Sequence, residues 1–149
     1  MMKKLLLALV FVAAATPAQA ENSELECLAM NLYHEARGED AVGIIAVGKV
    51  VINRVNSKQF PNTVCKVVKQ GGQKRRYRCQ FSWWCDGRSD KAQDKEAWQR
   101  MIYYASLVLN KDLGDPSGGA LFYHTDSIEP YWAASKIRVV TLGRHVFYQ

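Results

Sequence analysis

The chain has 149 residues, 20 basic against 14 acidic, with a formal net charge of +6 and four cysteines. That length supports one domain with one core and excludes two comfortable ones. No internal repeat or low-complexity segment follows residue 20, and no later run approaches the ~20 apolar residues of a membrane-spanning helix.

The first twenty residues, MMKKLLLALVFVAAATPAQA, combine Lys3 and Lys4 with a short apolar stretch and small residues Ala18 and Ala20 around Gln19. They read as an export signal cleaved after Ala20. No cysteine stands at that cut, so no lipid anchor is expected. Removing Lys3 and Lys4 leaves 18 basic residues against 14 acidic ones, a net charge of +4 that suits an anionic polymer partner. Cys27, Cys65, Cys79 and Cys85 all lie in the exported part. An even count in that compartment implies two disulfides, among three possible pairings that the sequence leaves open. A catalytic thiol or a zinc site competes for the same cysteines, but no C-x-x-C pair occurs. The expected product is a monomer in a periplasm or beyond it.

From Ser23, a plausible N-cap, Leu25, Leu28, Ala29, Leu32, Tyr33 and Ala36 recur at helical spacing up to Gly38 and predict a helix over 24–37. At about 100° per residue, Glu35 falls beside Leu28 at the edge of the apolar arc. Half-burial there raises the proton affinity of its carboxylate. Residues 41–55 are apolar almost all round and predict a core helix in which Gly43 and Gly48 permit a close neighbour. Glu39 and Asp40 precede it, which suggests a capping role for Glu39. SKQFPNT then breaks the chain, and Thr63 begins a short helix.

GGQKRRYR (71–78) reads as a solvated basic loop, and export argues against nucleic acid as its partner. CQFSWWCDG (79–87) reads as a strand ending in an Asp-Gly turn. On a strand, Trp83 and Trp84 face opposite ways, so one lies outside the core and suits stacking on a sugar ring. Trp98, Met101, Ile102, Ala105, Val108 and Leu109 predict a long amphipathic helix, capped by Ser89 or Asp90 and ended near Gly114. ALFYHTD and KIRVVTLGRHVFYQ predict a strand and then a strand, a Gly143-Arg144 turn and a strand. Helices followed by a small antiparallel sheet make an α+β domain.

Taken together, YHEARGE, INRV, FPNTV, QFS, GALFYH and LGRHVFY resemble the SleB-like cell wall hydrolase family, named for spore cortex-lytic enzymes. The likeness runs in order through nearly all of residues 21–149. It implies a lysozyme-like α+β fold, cleavage of the peptidoglycan glycan strand, and Glu35 as the catalytic acid. It also sets Gln80, Phe81 and Ser82 on a segment facing that glutamate, as cleft candidates. Tyr123 and His124 fall where the family has paired aromatic or polar residues ahead of a variable loop, as further substrate-binding candidates. The Arg-rich insertion and the cysteines around QFSWW depart from the family pattern.

An acid for this chemistry must keep its proton near neutral pH and deliver it to the glycosidic oxygen. Hydrolysis would need a second carboxylate, and Glu39, Asp86, Asp126 and Glu129 are the acids on offer. Without one, a lytic transglycosylase is the economical mechanism, with Gln80, Ser82 and Tyr123 steadying the positive sugar and Trp83 or Trp84 holding the strand in register. A zinc amidase would use His34, His124 and His145, but no H-x-x-x-H or H-E-x-x-H spacing supplies two ligands on one face. No metal or other cofactor is therefore expected. A non-catalytic glycan-binding module would not require an acid in the cleft.

Overall fold

Four helices and three short strands form the described part of the chain, α1 (Pro17–Ala36), α2 (Ala41–Asn56), α3 (Val64–Val68), α4 (Lys95–Asn110), β1 (Phe122–Thr125), β2 (Arg138–Leu142) and β3 (His145–Tyr148). The computed structural model describes residues 17–72, 76–110 and 112–149, with side chains from Ser23 onward. Most of the proposed signal and part of the basic loop, residues 1–16 and 73–75, lie outside the described residues.

α1 begins earlier than its sequence pattern suggests, because Ala18 and Ala20 are strong helix formers and Pro17 suits a first turn. It packs most heavily on α4 and also on α2 and α3. Leu28, Leu32, Ile44, Val47, Val50 and Met101 are essentially inaccessible in the shared core. Burying each such side chain stabilises the fold by about 1.5–3 kcal/mol. Gly48 gives the close approach expected of it, since a Cβ there would stand 3.0 Å from Val108 of α4. Gly43 does not, because its nearest atoms belong to Glu39 and Asp40 of its own entry turn.

Three caps sort differently from expectation or settle it. Thr63 caps α3 by accepting from the Lys66 amide. Asp40, rather than Glu39, caps α2, its Oδ1 accepting from the Gly43 amide at 2.8 Å. Asp40 adjoins the first helical residue, whereas Glu39 reaches across to the β2–β3 turn and accepts from the Arg144 amide at 3.2 Å and Nε at 3.3 Å. Gly143 makes room for this contact, since a Cβ there would meet Glu39 Oε2 at 1.9 Å. Asp94 caps α4 in place of Ser89 or Asp90. The amides of Gln93 and Asp94 both donate to the Tyr33 hydroxyl, which fixes the chain just before that helix.

The disulfides pair Cys27 with Cys65 and Cys79 with Cys85. The second bridge explains why the predicted strand is absent. An extended run of six residues would separate its ends by roughly 20 Å, against the 6.1 Å between these Cα atoms. Ser82–Cys85 forms a 3₁₀ turn instead. Trp83 is consequently buried, its Nε1 donating to Asn31 Oδ1 at 3.1 Å and its ring stacked on His34.

The sheet is antiparallel in the order β1-β3-β2, with Tyr123 opposite Phe147 and Thr125 opposite His145. Helices segregated from a small antiparallel sheet are the α+β arrangement read from the sequence.

Candidate active site

Two turns of α1 carry Leu28 and Leu32 into the core and leave Glu35 half-buried at its edge. Across from it, β1 directs Tyr123 inward, and the Tyr123 hydroxyl donates to Glu35 Oε2 at 3.1 Å. The tyrosine ring is wedged against His145 and Phe147, at 5.2 Å and 5.7 Å between centroids. Between α1 and β1 opens a cleft of about 400 Å³.

Burial raises the Glu35 pKa above 4.5, while the Tyr123 hydrogen bond and the Arg54 charge pull against it. The carboxyl therefore holds its proton at higher pH than an exposed glutamate would. Burial also pushes the Tyr123 pKa well above 10.0, and the neighbouring Glu35 adds to the effect, so this hydroxyl stays a donor.

Arg54, from the end of α2, is the cation behind the acid. It is 4% exposed. Its Nε donates to the Leu121 carbonyl at 2.8 Å, and its guanidinium lies over Phe60, Phe81 and Phe122 at 5.1–5.9 Å. Desolvation lowers its pKa, opposed by Tyr123 and Glu35. By holding Leu121, Arg54 anchors the start of β1 and so sets Tyr123 opposite Glu35.

The structure brings Gln80, Ser82, Phe81, Tyr123 and His124 to the same cleft as Glu35. Gln80 and Ser82 are exposed there, on the loop closed by Cys79–Cys85. Phe81 is 3% exposed and serves as packing beneath Arg54 rather than as an open contact surface. His124 is buried, Nδ1 meeting the Thr125 carbonyl and Nε2 the Tyr148 hydroxyl, so both ring nitrogens are occupied. Trp83 does not reach the cleft. With Trp84 it borders a separate hollow beside Cys27 and Met30, so neither tryptophan of that pair stacks on a ligand next to Glu35.

The acids considered as partners of Glu35 stand elsewhere. Glu39 is committed to Arg144, Asp86 accepts from the Arg88 amide, and Asp126 and Glu129 border an adjoining hollow with Arg138. Among the described residues, Glu35 is the one acidic side chain lining the cleft. The histidines also take separate places. His34 stacks on Trp83 and meets the Asp90 carbonyl. His145, expected to be an ordinary hydrogen-bonded residue, is buried with Nδ1 unpartnered and 3.8 Å from Glu39. Among the described residues no group of three His, Cys, Asp or Glu is placed to hold a metal ion.

Sequence reasoning missed Arg54 and Trp132, both of which line the cleft. A charge inside a helix apolar almost all round, one of two there with Lys49, was the available signal for Arg54. Trp132 sits in a segment between strands with no periodic pattern to expose it.

The profile of the cell wall hydrolase family matches residues 38–148. The chain belongs to the cell wall hydrolase family. It is 33% identical over 136 residues to the spore cortex-lytic enzyme of Halalkalibacterium halodurans, covering 91% of this chain and 37% of that protein. It is 31% identical over 138 residues to the spore cortex-lytic enzyme of Bacillus subtilis, covering 91% and 41%. This cell wall hydrolase thus spans about two fifths of the length of these relatives. Among solved structures it resembles the catalytic domain of the Bacillus cereus SleB protein, at 26% identity with a TM-score of 0.64, covering 86% of this chain and 91% of that one. It likewise resembles the catalytic domain of the germination-specific lytic transglycosylase SleB from Bacillus anthracis, at 26% identity with a TM-score of 0.65, covering 94% and 100%. The fold is therefore the lysozyme-like one of those catalytic domains.

Proposed function

We propose that this cell wall hydrolase is an exported enzyme that cleaves the glycan strand of peptidoglycan as a lytic transglycosylase, with Glu35 as its general acid and base. The observation that carries the reading is Glu35 itself, a carboxyl with raised proton affinity, held by Tyr123, and alone among acids in the described lining of a cleft of about 400 Å³. Its role rests on that geometry, because the family match begins at Gly38, past the glutamate. The kinship with spore cortex-lytic enzymes and with a SleB lytic transglycosylase domain supports peptidoglycan as the substrate.

The reaction needs one proton carrier. Protonated Glu35 gives its proton to the oxygen joining N-acetylmuramic acid to N-acetylglucosamine, and the bond from that oxygen to the muramoyl anomeric carbon breaks. The muramoyl 6-hydroxyl oxygen then bonds to the same carbon and yields its proton to the Glu35 carboxylate. Water is neither consumed nor positioned, so the second carboxylate of a hydrolytic muramidase has no task. Tyr123 and the Arg54 charge both favour the carboxylate that exists midway, which is where stabilisation accelerates the step.

Export follows from residues 1–20, and cleavage after Ala20 delivers residues 21–149 to a periplasm or beyond. Two disulfides among the described cysteines fit an oxidising compartment. Among the described residues no helix is long and apolar enough to cross a membrane. The test is digestion of purified sacculi. The native protein should release soluble muropeptides, and Glu35→Gln should bind sacculi yet release almost none. Full activity in a folded Glu35→Gln would overturn the assignment.

A further inference from the structure

The wall of the cleft contributed by the segment before β2 has no role in the proton chemistry. It consists of Ile128, Pro130 and Trp132. Ile128 is 58% exposed at the rim of this wall. Trp132 is half-buried and backed by three rings, Phe122 at 5.9 Å, His124 at 5.7 Å and Tyr148 at 5.6 Å between centroids. Its backbone is pinned as well, its carbonyl accepting from the Ser135 amide at 3.1 Å and hydroxyl at 2.8 Å. The indole N–H has no partner among the described residues and is not buried. An indole held rigidly at a cleft surface, with its polar edge unsatisfied, has lost its conformational freedom before any ligand arrives.

We propose that Trp132, with Ile128 at its rim, is a sugar-stacking subsite that holds one N-acetylhexosamine ring of the strand while Glu35 acts on a neighbouring linkage. In a β-1,4-linked glucosamine ring the substituents are equatorial, so both ring faces present C–H bonds. The flat face of an indole is the side-chain surface that buries such a face, and its N–H remains free to bond a substituent. The wall carries no charged side chain, which matches an uncharged sugar face rather than a peptide stem. The function foreseen for the Trp83–Trp84 pair therefore falls to a tryptophan 48 or 49 positions further on, because the Cys79–Cys85 loop turns Trp83 into the core.

The subsite rests on the glycan-cleavage reading, and the experiment separates the two. Glu35→Gln protein is labelled with 5-fluorotryptophan, and single Trp→Phe changes assign its four resonances. Titration with the tetramer of N-acetylglucosamine should shift the Trp132 resonance and leave those of Trp83 and Trp98 in place. In otherwise native protein, Trp132→Ala should raise KM for solubilised glycan strands roughly 10-fold with kcat little changed, and Trp132→Phe should recover most of the loss. Native protein that cuts sacculi while the Trp132 resonance stays still, or shifts only at Trp84, overturns the subsite. Native protein that cuts no sacculi, while Trp132 responds to the sugar, overturns the enzymatic reading and retains the subsite.

Discussion

Replacing Tyr123 by Phe removes one oxygen and leaves the ring against His145 and Phe147. What is lost is the hydroxyl that donates to Glu35 Oε2 at 3.1 Å. A hydrogen bond to a charged acceptor contributes about 1.5–3 kcal/mol, and Glu35 carries its charge only after the proton has moved toward the sugar. The loss therefore falls on the transition state, and kcat should drop roughly 10- to 100-fold, at 1.36 kcal/mol per decade, with KM nearly unchanged. The pH profile gives an independent sign. Glu35 must be protonated to act, so activity is lost as pH rises through its pKa. The Tyr123 bond lowers that pKa, hence its removal raises it, and the alkaline limb should move to higher pH even as the peak falls. The assay is kcat and KM on solubilised glycan strands across the neutral and alkaline range, with circular dichroism to confirm folding. An unchanged kcat, or a limb that moves to lower pH, would refute the role given to this pair.

The same burial makes Glu35 a liability for stability. Its folded pKa is raised, so its favourable contribution is complete below the unfolded pKa and is lost as pH rises through the folded one. The Tm advantage of Glu35→Gln over the native protein should consequently grow with pH in that window, and calorimetry showing the opposite trend would contradict the burial argument. The bridge Cys27–Cys65, with a sequence separation of 38, should contribute about 4 kcal/mol by loop entropy, and Cys79–Cys85, with a separation of 6, about 2 kcal/mol. Denaturation of Cys→Ala pairs measures both. Because Gln80 and Ser82 ride on the smaller loop, its removal should raise KM more than its stability cost suggests. Chelation with EDTA should leave sacculus digestion unchanged, and loss of activity restored by zinc would revive the amidase alternative.

What was legible in the sequence was what depends on local period and on chain order. α2 is apolar on nearly every face and could only be a core helix, and the 3.6-residue pattern through Leu28 and Leu32 put Glu35 at an apolar edge where the structure has it. The Gly143–Arg144 turn was equally plain. What misled was a covalent constraint, since QFSWW has the composition of a strand and only the pairing of Cys79 with Cys85 forbids it. Glu39 misled for a related reason: its partner Arg144 is 105 positions away, a contact no local pattern encodes. Arg54 and Trp132 owe their importance to the same kind of long-range assembly, Arg54 through Leu121 and Trp132 through Tyr148.

The central claim is that a single carboxyl in the described cleft, with no second acid to activate water, performs the cleavage. Mass spectrometry of muropeptides released by the native protein, before and after borohydride, tests it most directly. The account predicts products that end in 1,6-anhydro-muramic acid, one water lighter than hydrolysis products and unchanged by reduction. Products ending predominantly in reducible muramic acid would contradict it, and would require one of the acids placed outside the cleft to act beside Glu35.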